Sequence, residues 1–148
     1  MILVLDRITD VRNFGAICRT AECAGVNTIL IPEQKTAAIN ADAVKTSAGA
    51  LLKIPICRTW NLKLSLQFLQ DSGIQLVSCT EKTNKEIYAT DFKNPTAIIM
   101  GSEEDGVSPE FLKMSDCKAK IPMSGNISSL NVSVATAIII YEAIRQRK

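Results

Sequence analysis

MILVLDRITDVRNFGAICRTAECAGVNTILIP, residues 1–32, places one helical pattern between two apolar runs. Ile2–Leu5 is short, continuous and apolar, which reads as a strand buried on both faces. From about Asn13 the periodicity becomes helical and stops at Gly25, a residue that ends helices because it tolerates left-handed backbone angles. Asn27–Ile31 then reads as a second strand, closed by Pro32. A strand, a helix and a strand in so short a span form a βαβ unit, and such a unit requires parallel strands.

The same alternation continues to the C-terminus. Asp42–Ser47 predicts a short helix, and the run Leu51–Arg58 predicts a third strand around Pro55-Ile56-Cys57. Asn61–Ser72 is amphipathic, with Leu62, Leu66 and Leu69 on one face, and Gly73 ends it. Ile74–Ser78 predicts a strand, Glu81–Phe92 an irregular polar stretch, and Thr96–Met100 another buried strand. Ser108-Pro109-Glu110 opens a helix with proline in its first turn. Lys118–Ile121 is the last predicted strand, and a long apolar helix begins near Ser129–Asn131. The fold class expected is α/β, a mostly parallel sheet with helices on both faces.

Composition narrows the chemistry. The 148 residues suit one domain, and 47% hydrophobic with 22% charged residues is ordinary for a globular protein. A net charge of +2 permits a nucleic-acid partner without requiring one. There is no histidine, which removes Ser-His triads, imidazole metal ligands and the usual neutral-pH base. The five cysteines, Cys18, Cys23, Cys57, Cys79 and Cys117, are odd in number and form no CxxC pair. That pattern predicts reduced thiols, a cytoplasmic location and no thiolate metal site. The chain opens on Ile2–Leu5 with no basic segment or cleavage site, so no signal peptide is expected. Ser133, Thr136 and Glu142 interrupt the final apolar helix, so no membrane span is expected either.

In open parallel sheets, ligands bind beyond the carboxyl ends of the strands. Three segments fall there: Asn13–Arg19, Gly101–Gly106 and Ile121–Asn131. The glycine loop has neither a Walker lysine nor GxGxxG spacing, which argues against a phosphate cradle. Asn13, Ser129 and Asn131 are neutral hydrogen-bonding groups that also serve as helix caps.

Together the segments resemble the three motifs of the SpoU/TrmH family, SPOUT-class RNA ribose 2′-O-methyltransferases. The matching residues are Asn13-x-Gly15-Ala16-x-x-Arg19-Thr20-Ala21 and Met100-Gly101-Ser102-Glu103-x-x-Gly106. The third motif is Ile121-Pro122-Met123 with Ser128-Ser129-Leu130-Asn131-Val132-Ser133-Val134-Ala135. Lys45-x-Ser47-Ala48-Gly49-Ala50 is a further similar patch.

The resemblance implies S-adenosylmethionine as methyl donor, an RNA substrate (rRNA or tRNA), a homodimer, no metal, and a C-terminal trefoil knot. It places the cofactor on Gly101, Ile121 and Leu130, with Met123 beside them and Cys79-Thr80 at the border of the pocket. It assigns the chemistry to Arg19, with Asn13, Glu103, Ser129 and Asn131 around it. Guanidinium stays protonated in proteins, so Arg19 is expected to hold a phosphate or the developing alkoxide rather than to act as base. Glu103 is expected to orient Arg19 or to accept the proton through water. The third motif is most similar to the branch that methylates a guanosine ribose of 23S rRNA. The alternatives are a tRNA ribose methyltransferase and a cofactor-binding RNA module without turnover. Because the first strand begins at residue 2, residues 1–148 are expected to be a bare catalytic domain, without the N-terminal RNA-recognition domain of many relatives.

Overall fold

The structure is a computed structural model and describes every residue except Ser128, which belongs to the third motif. Six strands form one sheet: β1 (Ile2–Leu5), β2 (Thr28–Pro32), β3 (Ile56–Thr59), β4 (Gln75–Cys79), β5 (Thr96–Met100) and β6 (Cys117–Ala119). Their spatial order is β3-β2-β1-β5-β4-β6, and every pairing is parallel. Five helices connect or follow them: α1 (Val11–Cys23), α2 (Ala41–Thr46), α3 (Leu62–Asp71), α4 (Pro109–Met114) and α5 (Val132–Arg147).

The apolar runs are explained by burial on both faces of the sheet. Leu3, Leu5, Ile98 and Met100 point to one side, where they pack with Phe14, Ile17 and Ala21 of α1 and Ile139, Ile140 and Ala143 of α5. Val4, Ala97 and Ile99 point to the other, against Leu62 and Leu66 of α3 and Phe111 of α4. The period-two alternation within β1 and β5 thus feeds two separate cores. The expected helices on both faces are present.

Several boundaries move for local reasons. Helix α1 begins at Val11 rather than near Asn13, because the Asp10 carboxylate caps it by accepting from the Asn13 amide at 2.7 Å. The third strand is shorter than the run Leu51–Arg58. Gly49, at φ 81°, starts a 3₁₀ turn over Ala50–Leu52 that turns Leu51 into the core. The last strand ends at Ala119, not Ile121. The polar stretch Glu81–Phe92 is largely irregular as expected, but contains a 3₁₀ turn at Ile87–Ala89 and a bridge from Glu86 to Lys120.

Gly15 sits in α1 at its closest approach to α2. A methyl group there would lie 2.7 Å from Thr46 Cβ and 3.0 Å from the Ala43 carbonyl oxygen. Gly15→Ala gains about 1 kcal/mol of helix propensity. Overpacking against backbone costs about 1–3 kcal/mol. The clash should win, and thermal unfolding of Gly15→Ala is expected several degrees below wild type; an unchanged or higher midpoint would show that α2 gives way freely.

Candidate active site

The winding direction of the sheet reverses between β1 and β5, and crevices at such switch points hold ligands. Here the ends of the two strands are tied together. The Asp6 amide donates to the Met100 carbonyl at 2.8 Å. Asp6, almost fully buried, accepts from the Ser108 amide at 2.7 Å and from Arg7 Nε at 3.3 Å. Arg7 also donates to Asp105 at 2.8 Å and to the Gly106 carbonyl at 3.0 Å. Arg7 makes these contacts from a left-handed backbone angle, φ 61°, which a non-glycine residue adopts at a cost. The loop 101–106 is therefore clasped to the end of β1.

That loop needs glycine at its base. A Cβ on Gly101 would lie 2.0 Å from Gly106 C and Val107 N, and the Gly106 amide closes the turn onto the Ser102 carbonyl at 2.9 Å. Beside it opens a cleft of about 950 Å³. Its lining includes Cys79, Thr80, Gly101, Glu103, Ile121, Met123, Ser129 and Leu130, all singled out from sequence. Ser102, Asp105 and Ala135, within the same segments or motifs, also line it, as do Arg7 and Lys35, which were missed. No local pattern marks Arg7, whose partners in the loop stand 98 and 99 residues away.

The remaining site residues form a chain of side-chain hydrogen bonds. Asn13 Nδ2 donates to Glu103 Oε1. Asn131 Nδ2 donates to Asn13 Oδ1 at 3.0 Å. Asn131 Oδ1 accepts from Ser133 N at 2.9 Å and Ser133 Oγ at 2.6 Å, which caps α5. Asn131 thus caps α5 and at the same time bonds Asn13. Asn13 does not cap α1, since Asp10 does; it joins the first motif to the other two. Because its amide both donates and accepts, neither aspartate nor leucine could replace it.

Arg19 stands elsewhere. It lies six residues after Asn13, about 9 Å farther along α1 at 1.5 Å per residue and on a different face. It is exposed, lies outside the cleft lining, and makes no hydrogen bond or ion pair with the described residues. Within the chain, Glu103 bonds Asn13 and not Arg19.

The cleft suits a cationic, heterocyclic ligand. Its apolar wall is Ile121, Met123, Leu130, Val132 and Ala135. The amides of Ile121 and Met123 donate to no described backbone group, leaving donors for a ring. Five carboxylates (Glu81, Glu103, Glu104, Asp105, Glu110) outnumber three cations (Arg7, Lys35, Lys82) along the lining, which favours a sulfonium over a phosphate. No group of three His, Cys, Asp or Glu side chains able to hold a metal occurs among the described residues.

The sequence profile of the SpoU rRNA methylase family matches residues 1–141. The chain belongs to that family. This SpoU-family chain is 42% identical over 147 residues to the 23S rRNA (guanosine-2′-O-)-methyltransferase RlmB of Vibrio parahaemolyticus, covering 99% of the chain and 60% of that relative. It is 40% identical to RlmB of Pseudomonas aeruginosa over 99% of the chain and 59% of that protein. The SpoU methyltransferase AviRb of Streptomyces viridochromogenes, solved in complex with AdoMet, superposes with a TM-score of 0.92 at 29% identity, covering 99% of this chain and 60% of its own. The chain therefore spans about three fifths of the length of the relatives it matches.

Cys79 tests the burial of the inner wall. Burial, then the neighbouring Glu81 charge, pushes its thiol up to about 12. At pH 8 it stays protonated, and only the thiolate is a strong nucleophile. Iodoacetamide at pH 8 should label the exposed Cys23 and Cys57 well before Cys79; equal labelling would mean that the cleft wall opens.

Proposed function

We propose that this chain is an S-adenosylmethionine-dependent RNA ribose 2′-O-methyltransferase whose substrate is a guanosine of 23S rRNA, with residues 1–148 as its catalytic domain. The observation that carries the reading is the Glu103–Asn13–Asn131 chain. It joins the three motifs at the rim of an acid-rich, apolar-walled cleft. The RlmB relatives, which are 23S rRNA (guanosine-2′-O-)-methyltransferases, support the rRNA substrate.

The donor, when bound, supplies a methyl group made electrophilic by its sulfonium. The protein must align a ribose hydroxyl in line with that methyl and remove one proton. Glu103 has one oxygen held by Asn13 and the second without a partner among the described residues, so it is placed to take that proton directly or through water. Asn13 and Asn131 fix its direction. Ser129, exposed on the lining, is within the same rim for the ribose. Arg19, exposed and unengaged, is the cation for the phosphate beside the reacting ribose, where a planar fork fits two oxygens.

We further assign a homodimer built on α5, where Val134 and Tyr141 share one exposed face next to Leu130. The knot is supported by the path of residues 80–94, which bond both to Lys120 after β6 and, through Thr90, Phe92 and Asn94, to Gln146 and Arg147 of α5. Five free cysteines accord with a cytoplasmic site of action. No helix among the described residues is long and apolar enough to cross a membrane.

Methyl transfer from labelled donor to 23S rRNA and tRNA transcripts, in excess chelator, tests the reading. Incorporation into 23S rRNA guanosine is expected; incorporation into tRNA alone moves the substrate, and binding of donor without turnover reduces the chain to a cofactor-binding module. Arg19→Ala is expected to lower the rate by about 10²–10³, by analogy with loss of an oxyanion-site donor. Calorimetric donor affinity should change little, because Arg19 lies outside the cleft. Near-normal turnover of Arg19→Ala would remove Arg19 from the chemistry.

A further inference from the structure

A second concavity lies at the β3 edge of the sheet, beside α3. Along β1, β2 and β3 the register puts Ile2, Thr28, Leu30, Cys57 and Thr59 on one face, and α3 leaves that part of the sheet uncovered. The resulting groove, about 470 Å³, is walled by Trp60 at the end of β3 and by Leu64 and Phe68 of α3. Trp60 is 77% exposed, Phe68 69% and Leu64 55%. An apolar patch of such large side chains marks an interaction surface.

The groove's polar groups indicate its occupant. Thr59 and Ser65 satisfy one another at 2.8 Å, and Asn61 Oδ1 caps α3 by accepting from the Leu64 amide at 3.1 Å. Asn61 Nδ2 and the Arg58 guanidinium have no hydrogen-bond partner among the described residues, and the lining holds no carboxylate. Two aromatic faces with unspent donors and a lone cation match a ligand that is aromatic, rich in acceptors and anionic. Unpaired nucleotides have those properties. A two-fold contact with a second copy fits less well, since it would bring the Arg58 residues together with no acid in the lining to answer them.

Position agrees. In a parallel sheet all carboxyl ends share one rim, so Trp60 stands on the rim that carries Gly101, three strand spacings away, or about 14 Å. The cleft itself is acid-rich and contributes little attraction for RNA, so affinity must come from surface outside it.

We propose that the Trp60–Phe68 groove binds unpaired RNA nucleotides flanking the methylated one, bases stacking on the rings and Arg58 meeting a phosphate. This rests on the methyltransferase reading above and adds a substrate-binding site distinct from the cleft.

Trp60 is the only tryptophan in the chain, so its emission reports the groove directly. Titrating the 148-residue protein with a single-stranded RNA decamer should quench that emission saturably. Trp60→Leu with Phe68→Leu should weaken decamer binding, read by anisotropy of labelled RNA, by about tenfold or more, as stacking losses do. Arg58→Ala should weaken it less and flatten its salt dependence. Calorimetric affinity for S-adenosylmethionine should stay at wild type in both variants. RNA binding that leaves Trp60 emission and the Leu variants unaffected overturns the groove and spares the methyltransferase reading. A concentration-dependent blue shift without RNA, with sedimentation altered by Trp60→Asp, also overturns it, because a second copy then covers the face. If wild type binds no RNA the groove falls, and the donor calorimetry shows separately whether the methyltransferase reading falls with it.

Discussion

The contact on which the site depends is the grip of Arg7 and Asp6 on the loop after β5. A parallel sheet offers a crevice where its winding reverses, but leaves the flanking loops to find their own positions. Here Asp6, buried beside Met100, takes up the Ser108 amide, and Arg7 reaches over Asp105 to the Gly106 carbonyl. The Asp6 backbone amide holds Met100 at the start of the turn, and two oppositely charged side chains, adjacent in sequence, hold its far end, while the Gly101 end has no room for a side chain. Strained backbone at Arg7 is held because the surrounding contacts over-determine it.

The charge layout divides the molecule's labours. Carboxylates around the cleft favour a cation there and disfavour a bare phosphate, while Arg19 and Arg58 stand uncompensated elsewhere on the surface. With a net charge of only +2, the chain thus keeps its exposed cations apart from the acid-rich cleft.

Much of this was legible because the controlling signals are local. Buried strands announce themselves as unbroken apolar runs, and Thr96–Met100 is found where the sequence puts it. The stretch from Leu51 misleads because an apolar run serves a 3₁₀ turn as well as a strand once Gly49 has turned the chain. The cleft lining follows motif order, so Gly101, Ile121 and Leu130 meet as expected. What sequence could not show is which partner each polar group takes. Glu103 bonds Asn13 instead of Arg19 because helical geometry turns those two residues of α1 to different faces. Arg7 sits between a strand and a helix, in a segment without periodicity, and its role exists only once Asp105 arrives.

Asn131 has a consequence in time as well as in space. Its one side chain both starts the last helix and reaches Asn13, 118 positions earlier. Closing so long a loop is slow, since chain entropy must be lost before the contact returns anything. The Glu103 carboxylate therefore gains its final orientation only when Asn131 has docked on Asn13. Until that contact closes, the rim of the cleft is unfinished, so its completion belongs to the late events of folding.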